Sequence, residues 1–275
     1  MKSTEKEIPA MGAAEAVETV KRLAIKTRRE AAGLEWTVLE MGRGDNTLVF
    51  LPGALGTVEI FSKQLLRFSG HSRVLVLGYP GCADKARMTA SFHALLQMLE
   101  IQHAHFVGSS LGAYWLQVFT HERADGVDSL VLGNTFVDAE PLQGNPLFAR
   151  AFLERNGADQ VKQAWLDFVE RLPASELRSL QLAHVGPGQP AEELYGRIAT
   201  VAHAGRVPLS SVDAGKITLL TCDDDAITHG AMGEALIAAY PGVRHEALAK
   251  GGHYPHVNNP AAYDAVIASA CKLSA

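Results

Sequence analysis

The sequence predicts an α/β fold with a mostly parallel central sheet, helices on both faces and an inserted helical segment. Short apolar runs of strand length alternate with amphipathic helical stretches on both sides of residue 110, a pattern typical of right-handed βαβ units. Between residues 140 and 211 the strand-like runs stop and only helical stretches remain. A length of 275 residues with 47% hydrophobic content accommodates one large domain that carries such an insertion.

The first part of the chain predicts a helix followed by a hairpin. Gly33 and the apolar/polar alternation just after it suit two strands. One continuous helix over residues 13–31 is the alternative. The preferred elements are a helix over residues 13–20, strands over 22–27 and 34–39, and a charged turn over 28–33.

Continuous apolar runs of strand length predict buried strands in the rest of the sheet. Apolar residues at helical spacing predict the connecting helices, and Pro260 suits the first turn of the last one. The strands are predicted at residues 47–51, 73–77, 128–133, 217–221 and 244–249, with one more leading into Gly108. The helices are predicted at residues 58–68, around 92–99, at 147–155, 160–172 and 192–202, and after Asn259.

Residues 140–211 are predicted to form a helical cap over the carboxyl edge of the sheet. A helical stretch inserted into an alternating βα chain is most simply placed there, where ligands of open α/β sheets bind. The core domain then consists of residues 1–139 and 212–275.

The segment from Gly108 to Gly112 has the pattern Gly-x-Ser-x-Gly between a predicted strand and a predicted helix. This context is typical of a nucleophile elbow, a tight turn that exposes its serine, Ser110. Glycine suits positions 108 and 112 because a β-carbon at either would strike the neighbouring chain. The sequence therefore predicts Ser110 as a nucleophile at the start of a helix, where partial positive charge favours a developing oxyanion.

Two further strand ends supply the other members of a Ser-Asp-His catalytic triad. Asp225 follows the strand at 217–221, and His253 follows the last strand in a Gly-Gly-His context. Histidine has the near-neutral pKa that a general base needs, and an aspartate fixes its tautomer. The neighbouring Asp223 and Asp224 are expected to be solvated turn residues. Asp138, after the strand at 128–133, is the reserve candidate for the acid.

Two backbone N–H groups are expected to form the oxyanion hole. Leu111 N–H follows the nucleophile, and Ala54 N–H lies in a loop after the first long buried strand. Gly53 and Gly56 allow that loop to turn tightly toward the elbow.

Composition excludes several classes of protein. The net charge is −5 and the basic residues are dispersed, so a nucleic-acid partner is not expected. The first residues, 1–7, are polar and lead into no apolar segment, and no run has membrane-spanning length, which predicts a cytoplasmic protein. The cysteines, Cys82, Cys222 and Cys271, lack metal-type spacing, so we expect neither disulfides nor a metal site.

Several motifs carry a resemblance to a known family. They are Leu-Pro-Gly-Ala-Leu-Gly-Thr at 51–57, Gly-Tyr-Pro at 78–80, and the segments 107–112, 133–136, 167–172 and 240–255. On these the chain resembles the α/β-hydrolase fold superfamily and, within it, the maspardins, from about residue 22 onward. As in maspardin, Pro-Gly at 52–53 stands where most members have His-Gly. Maspardin lacks a histidine at the position of His253 and is regarded as a binding protein, whereas this chain has one.

The expected function is a serine hydrolase that cleaves a small-molecule ester or thioester through an acyl-enzyme at Ser110, without a cofactor. C–C hydrolysis or a lyase step by the same residues remains open, because the fold alone does not decide among them. The alternative class is a maspardin-like, non-catalytic binding module, and the resemblance allows a protein partner. The combination of Ser110, Asp225 and His253 favours the enzyme.

Overall fold

A computed structural model describes residues 11–273 and contains one eight-stranded sheet. Its strands are β1 (Ile25–Ala31), β2 (Leu34–Met41), β3 (Asn46–Leu51), β4 (Ser72–Gly78), β5 (Ala104–Ser109), β6 (Val127–Gly133), β7 (Ile217–Cys222) and β8 (Arg244–Leu248). They lie in the order β1-β2-β4-β3-β5-β6-β7-β8. β2 pairs antiparallel with β1 and with β4, and all other neighbours pair parallel. The predicted mostly parallel sheet is confirmed.

Helices cover both faces of this sheet. Alternate residues of β3 enter opposite cores: Val49 packs with residues of α3 and α4, whereas Phe50 packs with residues of α1, α2 and α11. A 3-10 turn, Val58–Phe61, precedes α2. The helices are α1 (Ala13–Leu23), α2 (Ser62–Phe68), α3 (Lys85–Met98), α4 (Leu111–Glu122), α5 (Arg150–Arg155), α6 (Ala158–Arg171), α7 (Glu176–Val185), α8 (Ala191–His203), α9 (Ala231–Ala239), α10 (Pro255–Asn258) and α11 (Pro260–Ala270).

The N-terminal hairpin is present, but its turn is shorter than predicted. Ala31 pairs with Leu34, so only Ala32 and Gly33 form the turn, with φ of 47° and 74°. Two residues with positive φ are typical of the tight turn that matches strand twist. The charged residues 28–30 therefore belong to an edge strand, where their side chains are exposed. The alternative of a single helix over residues 13–31 is wrong.

The segment between β6 and β7 is helical. It contains α5 to α8 and two short 3-10 turns, Glu140–Gly144 and Ala214–Lys216. Within residues 11–273 it adds no strand to the sheet, and its β-type pairing is an isolated bridge between Asp138 and Arg206. Trp165 of α6 and Ile198 of α8 are buried in the same apolar cluster as Val49 of the sheet. These helices thus pack onto the sheet core; the division into core and cap domains stays a prediction.

Two sequence-based expectations concern membranes and location. The polar residues 1–7 lie outside the described part of the chain. Among residues 11–273, no helix combines the length and the apolar character that crossing a membrane requires. The cytoplasmic location stays a prediction.

Candidate active site

Ser110 lies in the turn that joins β5 to α4. Its φ of 53° and ψ of −118° are unusual for a residue with a side chain and mark a strained backbone. The turn is held on both sides: Ser110 N–H donates to the Gly133 carbonyl at 2.8 Å, and Thr135 Oγ1 donates to the Ser110 carbonyl at 2.9 Å. The half-buried Ser110 is therefore fixed at the carboxyl end of the central strand.

The glycines of this turn are required by close backbone contacts. A Cβ at position 108 would lie 2.5 Å from the backbone nitrogen of Ala113, and one at position 112 would lie 2.2 Å from the Leu51 carbonyl oxygen. Neither neighbour is the end of a flexible side chain, so neither could move aside cheaply. The steric reason predicted for Gly108 and Gly112 is confirmed.

His253 and Asp225 lie side by side. His253 Nδ1 is 2.9 Å from Asp225 Oδ2 and 3.1 Å from Asp225 Oδ1. The side chains are only 9% and 1% exposed, respectively, so little water competes for this contact. The acid follows β7 and the histidine follows β8, and the parallel pairing of these strands brings both loops to one edge of the sheet.

Asp225 is held in its ionised form by its surroundings. Its carboxylate accepts hydrogen bonds from Ile227 N at 2.8 Å, Thr228 N at 3.2 Å and Thr228 Oγ1 at 2.6 Å. Burial alone raises the pKa of Asp225, but the hydrogen bond and charge of His253, together with the Thr228 and Ile227 bonds, lower it to about 2. Such a carboxylate can orient an imidazole and stabilise its protonated form.

The loop that carries His253 is fastened by two residues for which the sequence analysis gave no such role. The Asp224 carboxylate accepts from Gly251 N at 3.2 Å and from Gly252 N at 2.7 Å. Asn134 Nδ2 donates to the Gly252 carbonyl at 2.8 Å. Asp224 is exposed, as expected of a turn residue, but it also positions the histidine loop. The position of Asp224 directly before the predicted acid was the feature of the sequence that could have indicated this role.

The reserve acid, Asp138, lies in a different environment. Its side chain is exposed and accepts a hydrogen bond from Glu140 N at 2.9 Å, next to the backbone bridge with Arg206. The structure therefore brings Asp225, and not Asp138, into contact with His253.

The two expected oxyanion donors belong to segments that adjoin Ser110. Leu111 is the first residue of α4, and the first N–H groups of a helix have no partner within it. Residues 52–56, named here the oxyanion turn, approach the elbow closely, since a Cβ at Gly53 would lie 3.3 Å from Ser110 Cβ. Within residues 11–273, no backbone carbonyl accepts a hydrogen bond from the Ala54 N–H. The role of both N–H groups as oxyanion donors stays a prediction.

A sequence profile of the alpha/beta hydrolase family matches residues 48–266. The chain belongs to the alpha/beta hydrolase family. The match extends from β3 into α11 and includes the elbow and the loops of Asp225 and His253. The predicted α/β-hydrolase fold is confirmed.

Curated relatives of this alpha/beta hydrolase include maspardins. Maspardin from Homo sapiens is 28% identical over 233 residues, which cover 76% of this chain and 70% of maspardin. Maspardin from Danio rerio is 26% identical over 232 residues, with 76% and 69% coverage. The predicted similarity to maspardin is confirmed.

Solved structures share the fold over most of the alpha/beta hydrolase chain. The enol-lactonase from Burkholderia xenovorans LB400 superposes with a TM-score of 0.70 at 19% identity, covering 90% of this chain and 100% of the lactonase. A hydrolase from Pseudomonas aeruginosa PA01 gives a TM-score of 0.69 at 21% identity, with 89% and 97% coverage. At these identities the likeness concerns the fold.

Proposed function

We propose that this chain is a serine hydrolase that cleaves a carboxylic ester or thioester through an acyl-enzyme at Ser110. The observation that carries the proposal is the contact of His253 Nδ1 with the buried Asp225 carboxylate at 2.9 Å. A histidine oriented in this way, at the same sheet edge as a strained serine, is the arrangement of a nucleophile with its base and orienting acid. Membership of the alpha/beta hydrolase family supports it.

In the first half of the reaction, the serine is acylated. The Asp225 carboxylate accepts a hydrogen bond from the Nδ1–H group of His253. This leaves Nε2 as the basic nitrogen. Nε2 removes the proton of Ser110 as Oγ attacks the acyl carbon, and the carbonyl oxygen becomes an oxyanion. Ala54 N–H and Leu111 N–H donate to that oxyanion. His253 then passes its proton to the departing alcohol or thiol.

In the second half, water releases the acyl group. His253 Nε2 takes a proton from the water, whose oxygen attacks the ester carbon of the acyl-enzyme. Collapse of the second oxyanion returns the proton to Ser110 Oγ and frees a carboxylic acid. Because His253 carries every proton in both halves, the cycle needs no cofactor.

Residues 140–211 serve in this proposal as a cap that bounds the acyl pocket. Arg197 of α8 donates to the Ala54 carbonyl at 2.9 Å, so the helical segment reaches the oxyanion turn. Gln189, just before α8, donates to the Leu55 carbonyl. The packing of these helices then selects the acyl group of the substrate. The substrate in this proposal is a small molecule.

Labelling with a fluorophosphonate probe tests the proposal, because it reports an activated serine without requiring the substrate. We expect the wild-type protein to be labelled and Ser110→Ala to lose both labelling and esterase activity, since one hydroxyl is removed. Ser109→Ala is the matched control and should keep most of the labelling.

Labelling that persists in Ser110→Ala contradicts the assignment of the nucleophile. A folded wild-type protein that is not labelled at all contradicts the hydrolase and favours a non-catalytic binding module resembling maspardin. In that case a protein partner becomes the object of the search.

A further inference from the structure

The first four carbonyl groups of the oxyanion turn, those of residues 52–55, are all hydrogen-bonded. Tyr79 Oη shares its single proton between two acceptors, the Pro52 carbonyl at 2.7 Å and the Gly53 carbonyl at 3.1 Å. Gly56 N–H also donates to the Gly53 carbonyl, at 2.9 Å. Arg197 Nε donates to the Ala54 carbonyl at 2.9 Å. With the Gln189 bond to Leu55, four successive carbonyls accept hydrogen bonds.

These bonds determine where the Ala54 N–H points. The peptide between Gly53 and Ala54 is trans, so its N–H and its C=O point in opposite directions. The Tyr79 hydroxyl and the Gly56 N–H both restrain the Gly53 carbonyl, and they therefore restrain the Ala54 N–H as well. The Arg197 bond fixes the next peptide, on the other side of Ala54, so the residue is restrained from both sides.

Tyr79 and Arg197 are themselves held rigidly. They are 2% and 4% exposed, and Arg197 Nη1 donates to the Tyr79 carbonyl at 2.9 Å. Glu193 accepts from Arg197 Nη1 at 3.3 Å and from Gly81 N at 2.7 Å. Burial raises the pKa of Tyr79, which keeps its hydroxyl protonated and able to donate.

The contact between the guanidinium and the turn is close. A Cβ at Gly56 would lie 2.5 Å from Arg197 Cζ, so any larger residue there would displace the guanidinium. Burying a cation is costly unless its donors are satisfied. Arg197 Nε and Nη1 donate to backbone carbonyls of the loops after β3 and β4, whereas its buried Nη2 has no hydrogen-bond partner among the described residues.

We propose that Tyr79 and Arg197 are positioning residues that hold the Ala54 N–H in the direction required to stabilise the oxyanion. This inference rests on the proposed serine hydrolase function. Tyr79 follows β4 and Arg197 belongs to α8. The sheet and the helical segment thus both help to orient one oxyanion donor, the Ala54 N–H. The pair acts through Ala54 and does not touch the reacting atoms.

Tyr79→Phe removes the hydroxyl and keeps the ring. Loss of a whole oxyanion donor costs about 10²–10³-fold in kcat. Because Gly56 N–H still holds the Gly53 carbonyl in this variant, we expect a smaller loss, about 10-fold, from an imperfectly placed donor. The KM for 4-nitrophenyl acetate should not change, since the ground-state ester makes less use of the donor.

Two measurements report the oxyanion directly. The first is the second-order rate of fluorophosphonate labelling, and the second is the affinity for an alkyl trifluoromethyl ketone, whose serine adduct carries an oxyanion. Both should weaken about 10-fold in Tyr79→Phe, in step with kcat. Arg197→Lys keeps the charge but has fewer donors, so it should weaken both as well.

Tyr240→Phe is the matched control. Its hydroxyl is also buried and makes two hydrogen bonds, accepting from Ser210 N at 3.0 Å and donating to Gln117 Oε1 at 3.0 Å. The oxyanion turn lies outside this hydrogen-bond network. We expect the labelling rate and the ketone affinity of Tyr240→Phe to equal those of the wild type. Its loss of stability in urea should be similar to that of Tyr79→Phe.

The outcomes separate the inference from the proposed function. A labelled wild type with Tyr79→Phe reacting at the same rate overturns the inference and leaves the hydrolase intact. Equal slowing in Tyr79→Phe and Tyr240→Phe also overturns it, because lost stability then explains both. An unlabelled wild type overturns the proposed function, and the inference with it.

Discussion

The Asp225 side chain combines deep burial with four different hydrogen-bonded partner groups, and this determines its role. Three donors come from residues 227 and 228, and the fourth contact is His253. The oxygen of an asparagine could still accept from Ile227 N and Thr228 N, which both bond Oδ1, whereas the Thr228 hydroxyl, which bonds Oδ2, would have to accept from the amide NH2 instead. The substitution of this residue by asparagine therefore separates charge from packing.

We predict that Asp225→Asn folds but loses turnover by about 10⁴-fold, the loss that a Ser-His-Asp triad shows for this change. The amide presents an N–H to His253, favours the wrong tautomer and offers no charge to the imidazolium. The measurement is kcat with 4-nitrophenyl acetate, with circular dichroism to verify the fold. Asp138→Asn, at an exposed residue, should keep wild-type turnover; a large loss there would reassign the acid.

Single residues were predictable where they follow a recognisable local pattern. Ser110 lies within its motif and Asp225 and His253 lie just after strands, so short windows of sequence were enough to name them as candidates. Tyr79 and Arg197 act through contacts across the chain: their hydrogen bond joins positions 118 residues apart. No local pattern marks such a pair, and Gly-Tyr-Pro at 78–80 was noted without a role.

At the scale of elements, α2 and α11 meet through a partly buried polar contact. Gln64 Nε2 of α2 donates to Asp264 Oδ1 of α11 at 2.9 Å. Burial raises the pKa of Asp264 to about 6, although this hydrogen bond and the charges of Arg67 and Lys63 act to lower it. Between these two pKa values, 3.8 and about 6, the folded protein therefore keeps a proton on Asp264 that the unfolded chain has lost.

This raised pKa gives a pH-dependent stability. An Asp264 pKa of about 6 in the fold against an ordinary value of 3.8 means that stability falls as pH rises through that interval and then levels off. We predict that Asp264→Asn increases the free energy of unfolding by about 1–2 kcal/mol at pH 8 and changes it little at pH 4. Urea denaturation at both pH values measures this.

The exposed Asp45 supplies the control, and Asp45→Asn should give the same small difference at both pH values. A destabilised Asp264→Asn at pH 8 would show that the carboxylate, once ionised, contributes to the contact between α2 and α11.

Elements were predictable to different degrees for physical reasons. Buried parallel strands are continuous apolar runs, so β3, β4 and β7 were found within one residue of their ends. The first strand was predicted at residues 22–27, whereas α1 continues to Leu23 and β1 spans Ile25–Ala31. Its end was missed because an edge strand carries charged, exposed residues that resemble a turn. α9 was missed: its sequence, Ala-Met-Gly-Glu-Ala-Leu-Ile-Ala-Ala, is mostly small and apolar and shows no clear polar face.

At the scale of the whole molecule, the helical segment and the sheet share one hydrophobic core. Trp165 of α6 and Trp36 of β2 belong to the same buried cluster. We predict that the two parts unfold in one transition, since neither can lose this core alone. The test uses two variants, one with Trp36 and one with Trp165 as its sole tryptophan. In each variant, urea unfolding followed by tryptophan fluorescence and by far-ultraviolet circular dichroism should give the same midpoint.

Each variant serves as its own control, because the dichroism curve records any general loss of stability caused by the tryptophan replacements. A fluorescence midpoint for Trp165 that precedes the dichroism midpoint would show that the helical segment unfolds separately from the sheet.

The position of the site on the molecule followed from the sequence, but the lateral order of the strands did not. Parallel strands place their carboxyl ends at one edge, which predicted that the loops of Ser110, Asp225 and His253 converge. Which strands are neighbours depends on long-range packing. β6 lies between the serine strand β5 and the acid strand β7, and this intervening strand leads to Asn134, which fastens the histidine loop.

The order of the strands along the chain has a consequence for biosynthesis. Ser110 follows the fifth strand along the chain, whereas His253 follows the eighth. In the proposed mechanism, a nascent chain halted on the ribosome before residue 253 carries Ser110 without its base, however well the earlier strands have folded. We therefore expect the reactivity of Ser110 in stalled nascent chains to report completion of the sheet, because it should begin only after β8 has joined.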